Sequence, residues 1–262
     1  MKFITILTDF GLQDGFVGTM RGVMLGIAPD AQIADISHSI SPQNILEGAY
    51  ALSRTVQYYP EGTIHVVVID PGVGTTRRPI AARIGKQYFV APDNGVLTFI
   101  YQDAETRGIP LEVVHLDNPD YWLSEISNVF HGRDIFAPVG AYLANGVPLN
   151  EMGTPIQNAI RISLPEVESI ESGLRGQILL IDNFGNLITN IKTHHLVDFQ
   201  DLSVHVCGEE IGGLVKTFGK RAAGDLVALI GDANDLWISV VNGSARARLD
   251  AQVGDPVEIL VV

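Results

Sequence analysis

Four polar clusters mark where this sequence could do chemistry. Thr8 to Gly15 carries Asp9 and Asp14, and Asp70 to Arg78 carries a carboxylate, two glycines and two guanidinium groups. Pro92 to Gly95 holds Asp93 and Asn94, and His131 to Asp134 adds an imidazole. An aspartate at a strand tip, with arginines seven and eight residues on, can turn back into an ion pair across a glycine loop. The plain alternative is a Pro-Gly turn with solvated arginines. A fifth stretch, Asp182 to Asn190, is rich in amides beside Phe184. It reads either as a hairpin turn with Asx caps or as a wall where Phe184 stacks on a heterocycle and Asn186 pairs with its edge.

The elements that must position these groups follow from periodicity. Phe3 to Leu7 and Val66 to Ile69 are continuous apolar runs of the kind needed by strands buried on both faces. Helical spacing covers Phe16 to Ile27 and Asn44 to Tyr58, with a short strand at Gln32 to Ile36 between them. The opening third is therefore β-α-β-α-β, the pattern of a parallel sheet with crossover helices. Pro79 to Ile84 and Gln87 to Ala91 form a hairpin around Gly85-Lys86. A helix starts at Val96, Leu111 to Leu116 is a strand, and 135–145 is helical. The cluster at His131 is expected to follow a further strand. In a parallel sheet, loops at the carboxyl ends of strands share one edge, so the four clusters are expected to converge there.

Leu164 to Gly176, with three glutamates, a proline and two glycines, reads as a linker. It separates an α/β domain over 1–165, with a mostly parallel sheet, from a smaller all-β, barrel-like domain over 174–262. Past it, helical spacing disappears, and short strands are expected at 177–182, 186–191, 203–207, 226–230, 236–241 and 257–262.

Composition narrows the function classes. With 46% hydrophobic and 18% charged residues, the chain of 262 can build a sizeable core. A net charge of −13 with scattered basic residues argues against a nucleic-acid partner. The single cysteine, Cys207, excludes an intrachain disulfide and fits a reducing compartment. No apolar run reaches the ~18 residues of a membrane span, so a cytoplasmic protein with no membrane partner is expected. The seven histidines lack zinc-ligand spacing, and no metal is expected. The G-x-G of DPGVGTTRR leads into a hairpin rather than a helix, and no nucleotide-triphosphate cradle or nucleophile elbow is present.

Taken in order, TDFGLQDGFVG, ISPQNI, VVVIDPGVGTTRR, APDNGVLT, FHGRDIFAP and IDNFGNLITN resemble the S-adenosylmethionine hydroxide adenosyltransferases. These are adenosine-forming hydrolases related to the fluorinating and chlorinating enzymes. The resemblance spans nearly the whole length. It implies a catalytic trio of Asp70, Arg77 and His131, with Arg77 rather than Arg78 chosen by register. It also implies that Asp9 holds the ribose hydroxyls, Asp14 the methionine ammonium, and Asn94 the ribose side. Phe184 and Asn186 would bind adenine, together with backbone groups around Gly243. The halogenating relatives carry tyrosine at the position of Asp70, serine at that of Gly132, and tryptophan at that of Gln43. This chain sides with the hydrolases. Ala233 stands where the relatives commonly have serine.

The implied reaction takes S-adenosyl-L-methionine as substrate, with no cofactor. Displacement at C5′ of a sulfonium expels a neutral thioether, so the site must supply an oriented, partly deprotonated water. His131 suits the base, with Asp70 fixing its tautomer or stabilising its cation, and Arg77 favouring hydroxide. The resemblance further implies a homotrimer with the site at the subunit interface. A halide-using adenosyltransferase of the same fold and a non-catalytic adenosine or S-adenosylmethionine binder are the competing readings.

Overall fold

The computed structural model describes residues 2–197 and 201–261. The chain divides into two compact units, Met1–Ile162 and Ser163–Val262.

In the first unit the strands are β1 (Lys2–Thr8), β2 (Ala31–Ser37), β3 (Ile64–Val68), β4 (Pro79–Ile84), β5 (Gln87–Pro92), β6 (Leu111–His115) and β7 (Thr154–Pro155). The helices are α1 (Phe16–Ile27), α2 (Ile45–Thr55), α3 (Thr98–Thr106) and α4 (Ala137–Ala144). One sheet runs in the order β2-β1-β3-β5-β4-β6-β7. Its first four strands are mutually parallel, while β4, β6 and β7 join by antiparallel pairings.

Successive side chains of a strand point to opposite faces, and here both faces are covered. Ile4, Ile6, Val66 and Val68 pack with Met20 and Met24 of α1 and with Val139 and Leu143 of α4. Leu7, Val67 and Ile69 pack on the other side with Ala49 and Leu52 of α2 and with Ile100 and Ala104 of α3. This double burial is why β1 and β3 are written as unbroken apolar runs. Asn44 caps α2, its side chain accepting from the Glu47 N–H.

The second unit is an antiparallel sheet of β8 (Glu168–Ile170), β9 (Gly173–Ile181), β10 (Leu187–Lys192), β11 (Leu202–Val206), β12 (Glu209–Gly212), β13 (Leu226–Ile230), β14 (Asp235–Val240) and β15 (Pro256–Val261). The order is β12-β11-β15-β9-β10-β14-β13, with β8 beside β9. Beyond β12, Val215 N donates to Ala228 O of β13 at 2.9 Å, so the two ends of the sheet approach and it nearly closes into a barrel. Residue 262 of the last expected strand lies outside the described residues.

Two expectations are corrected. Much of the stretch expected as a linker, 164–176, is hairpin: Glu168 pairs with Arg175 and Ile170 with Gly173. Its three glutamates are exposed, Glu168 on β8 and the others just before and after it, which gave it the composition of a loop. Helical structure also does not end there, because α5 (Ala245–Leu249) forms a single short helix, N-capped by Ser244. Five residues are too few to register as periodicity. Among the described residues no helix is long and apolar enough to cross a membrane.

His65 of β3 is a buried group with a measurable consequence. It is fully buried, its Nδ1 lies 2.8 Å from Thr5 Oγ1, and its ring stacks on Phe89 at 5.0 Å. Burial pushes its pKa down to about 3 from the ordinary 6.5. Between those two values the unfolded chain binds the extra proton, so stability rises with pH across that window. Its contribution is complete above pH 6.5 and is lost toward pH 3, at about 1.4 kcal/mol per pH unit. Urea unfolding of the wild type and His65→Gln from pH 7 to pH 4 is expected to show a shallower acid loss in the variant.

Candidate active site

The continuous run of β3 ends at Ile69, and Asp70 is the first polar residue beyond it. Two successive turns follow, with Val73 N donating to Asp70 O and Thr75 N to Gly72 O, both at 3.2 Å. The Thr75 hydroxyl closes them by donating to Gly72 O at 2.6 Å. This loop brings Arg77 back over the strand tip. Its Nε donates to Asp70 Oδ1 at 3.0 Å and its Nη2 to Asp70 Oδ2 at 2.5 Å, a two-pronged ion pair. Both side chains are almost fully buried, at 6% and 5% exposure. Arg78 points elsewhere, to the buried Asp93 at 2.5 Å and to Asn158. Adjacent arginines at the start of a strand thus serve different partners.

His131 completes the group. Arg77 Nη2 lies 3.1 Å from His131 Nδ1. A guanidinium has only donors, so Nδ1 accepts and the neutral ring carries its proton on Nε2. Burial, then the Arg77 charge, lowers the His131 pKa from its ordinary value, with Asp70 and Asp134 opposing. Burial likewise pushes the Asp70 carboxyl up, while Arg77 pulls it back. Asp70 reaches the imidazole by hydrogen bonds only through Arg77, because the guanidinium occupies both carboxylate oxygens and sits against the ring, while its charge still favours the imidazolium. Arg77 Nη1 is buried and has no hydrogen-bond partner among the described residues.

No strand precedes His131, contrary to expectation. It stands at the head of a π-helical turn, Gly132–Phe136, that runs directly into α4. Such turns widen a helix locally and recur at functional sites. The loop before it is held by contacts that no sequence pattern displayed. Phe130 meets Phe10 and Phe16 edge-on, with ring centroids 5.9 and 5.2 Å apart. Gly74, at φ +75°, lies so close to Asn128 that an added Cβ would sit 2.2 Å from its carbonyl oxygen.

The other expected residues fall on the same sheet edge or in the second unit. Asp9, just past β1, accepts from Gln43 N at 2.7 Å and so holds Gln43 in the left-handed region, φ 65°. Asp14 is exposed on the same loop. Asn94 donates to Ile69 O at 2.8 Å and accepts from Val96 N at 3.2 Å, so its amide fastens its own loop beside Asp70. All four polar clusters therefore converge.

In the second unit Asp182, unassigned at the level of sequence, organises the turn. It accepts from Phe184 N, Asn186 N and Asn186 Nδ2 at 2.9, 2.8 and 2.7 Å. The turn leaves the Phe184 ring 75% exposed and Asn186 nearly buried. Gly185 presses against Ser244 and accepts at its carbonyl from Arg246 N at 2.9 Å, which sets the segment around Gly243 beside the turn.

The approach of Gly74 to Asn128 can be tested alone. In Gly74→Ala the Cβ strains the left-handed backbone and displaces the loop carrying His131, costing about 1–3 kcal/mol. The expected result is a thermal midpoint at least about 3 °C lower, with the His131 ring signal shifted in an NMR spectrum.

Comparison with known proteins fits this arrangement. The SAM hydroxide adenosyltransferase N-terminal domain matches residues 4–153, and the C-terminal domain of the same family matches 176–258. A protein of Salinispora arenicola named (R)-S-adenosyl-L-methionine hydrolase is 36% identical over 260 residues, 98% of this chain and 97% of that protein. One of the same name from Thermus thermophilus is 36% identical over 99% of this chain and all of its own length. The crystal structure of a conserved protein from Thermotoga maritima superposes with a TM-score of 0.88 at 36% identity, covering 98% of this chain and 99% of that one. With both domains matched in order and the Asp-Arg-His group assembled at the sheet edge, this chain belongs to the SAM hydroxide adenosyltransferase family.

Proposed function

We propose that this chain hydrolyses S-adenosyl-L-methionine to adenosine and L-methionine, by attack of water or hydroxide at C5′ of the ribose. The observation that carries the reading is the buried Asp70–Arg77 pair with Arg77 bonded to His131, on a chain whose relatives bear the hydrolase name. The C5′–S bond breaks with its electron pair leaving on sulfur, which becomes the neutral thioether of methionine. The C5′–O bond forms, and the proton of the attacking water passes to solvent.

In this reading His131 acts as a hydrogen-bond donor and not as the general base. Its basic nitrogen, Nδ1, is held by Arg77, so the ring offers Nε2–H as a donor. Arg77 and His131 then stabilise a hydroxide-like oxygen as fixed donors, the kind of preorganised stabilisation that dominates in water-excluded sites. Asp70 holds the guanidinium in place.

Around this centre, Asp9 keeps its second oxygen for the ribose hydroxyls, Asp14 meets the methionine ammonium, and Asn94 borders the ribose side. Phe184 supplies an exposed ring for stacking on adenine. With the Asn186 amide nitrogen committed to Asp182, its oxygen is the group available to the base edge, next to the backbone around Gly243. These groups divide between the two units, the α/β unit holding the trio and the all-β unit the adenine wall. Ile126 and Val129 are exposed apolar residues on the loop before His131, and Leu12 and Phe16 are exposed between β1 and α1 and at the start of α1. That combination supports a homotrimer in which a neighbour's second unit completes the site, and we place the protein in the cytoplasm. S-adenosylmethionine is here a substrate and not a cofactor.

The halide-using alternative is disfavoured by two features. A carboxylate stands where the halogenating relatives have tyrosine. Gly132 is closely packed, since a Cβ there would meet Met20 Sδ and Phe130 at 3.3 Å and Val68 at 3.4 Å, so their serine would need those side chains to give way slightly. A mere binder would gain nothing from a buried charged pair, which costs desolvation.

Chromatography of the purified protein with S-adenosylmethionine, with and without excess halide, tests the reading. Adenosine and methionine in equal amounts, unaffected by halide and abolished in Asp70→Ala, are expected; a 5′-halo product would overturn it. Activity should rise with pH through the His131 pKa, below 6.5, because an imidazolium cannot accept from Arg77. His131→Asn keeps an acceptor and a donor but does not titrate. It should retain at least about tenfold more activity than His131→Ala and lose the acid limb of the pH profile. Equal loss in both variants would restore the general-base role.

A further inference from the structure

Asp134 is a fully buried carboxylate that the reaction above does not use. Its surroundings are those of a fastener. Oδ2 accepts from Ser127 N at 2.8 Å, and its backbone oxygen accepts from Leu123 N at 2.9 Å, so both halves of the loop before His131 are tied to one residue. Arg133 closes on it, Nε to Oδ1 at 2.5 Å and Nη2 to Oδ2 at 3.1 Å. The same guanidinium lies over the Phe130 ring, 5.2 Å from its centroid. Phe130 packs in turn against Phe10 and Phe16, and Asn128 of the tied loop abuts Gly74 in the loop that delivers Arg77. The charge is also seated inside the π-helical turn headed by His131. Asp134 is wholly buried while Arg133 remains 35% exposed, so removing the arginine would leave a buried carboxylate poorly compensated, and an apolar residue could have filled the space.

We propose that Asp134 is a positioning residue. With Arg133 it clamps the 123–131 loop so that His131 Nδ1 faces Arg77 Nη2, and its negative charge sets the electrostatic environment of the imidazole. The proposal rests on the hydrolase reading, and the second of its two readouts is independent of that reading. The charged groups acting on the His131 ring are Arg77, Asp70 and Asp134. Removing the Asp134 charge takes away one of the two contributions that favour the imidazolium, so the ring should titrate at lower pH. Removing Arg133 leaves Asp134 less compensated and should move it to higher pH.

The experiment compares Asp134→Asn and Arg133→Gln with the wild type, by pH profiles of kcat and KM and by NMR titration of the His131 ring. In Asp134→Asn, kcat should fall about tenfold or more with KM little changed, and the acid limb and ring titration should both move to lower pH. In Arg133→Gln both should move to higher pH. Asp93→Asn removes an equally buried carboxylate, paired with Arg78, and controls for stability loss alone. Its ring titration should match the wild type. If Asp134→Asn does not fold, the direction of the shift in Arg133→Gln decides. Variants that fold but titrate like the wild type would overturn the proposal, as would a loss of activity matching that of Asp93→Asn with no displacement. A wild type that does not cleave S-adenosylmethionine would overturn the hydrolase reading, while the NMR shifts would still decide whether Asp134 acts on His131.

Discussion

A guanidinium cannot give up its charge in a protein, and Arg77 is almost wholly buried. That constraint governs the architecture around it. The charge must be met by a carboxylate of matching shape, which places Asp70 at the tip of β3 with both oxygens engaged. The chain must therefore reverse within six residues, which the two turns and Gly74 accomplish. Since the reversing loop rests on the backbone of Asn128, the segment leading to His131 is placed by the same requirement. Removing either member of the pair would leave the other buried and uncompensated, typically costing about 3–5 kcal/mol, roughly a fifth or more of an ordinary domain's stability.

The sheet explains why these particular loops meet. β1, β3 and β5 are parallel, so Asp9, Asp70 and Asn94 all leave the sheet at one edge. Helices on both faces bury β3 throughout and β1 and β5 over their carboxyl-terminal parts, and the polar residues begin where burial ends. Ligands in open α/β sheets bind at such carboxyl edges because backbone groups and side chains from several loops are available there without disturbing the core.

How far this was legible in the sequence varied with the range of the interaction. The runs at β1 and β3 announce two-sided burial, and the first unit's order of strands and helices follows from them. The hairpin of β8 and β9 was hidden because three exposed glutamates, before, on and just after the short β8, look like a charged loop. β12 and α5 were hidden because they are shorter than one reliable period. Within the site, residue types and spacing brought Asp70 and Arg77 together, and family register separated Arg77 from Arg78. The route from carboxylate to imidazole was not legible. Whether Asp70 touches His131 or reaches it through Arg77 depends on how two loops meet in space, set by a π-turn, a glycine–carbonyl contact and the clamp at Asp134. The importance of Asp182 was masked in the same way, since an Asx turn looks alike whether it merely ends a strand or aims an aromatic ring.

The charge balance of the trio fits the proposed reaction. With His131 neutral, the Asp70 and Arg77 charges cancel, so the centre presents directed N–H donors without a net positive field. An unpaired arginine would repel the sulfonium of S-adenosylmethionine, whereas a carboxylate alone would repel hydroxide. Pairing them lets one site receive a cation and still hold an anionic oxygen in line with it, and the attraction between those two is spent as the C5′–O bond forms and the sulfur becomes neutral. The same balance explains why His131 should stay unprotonated. An imidazolium would lose its bond to Arg77 and add a net charge of the sign the substrate already carries.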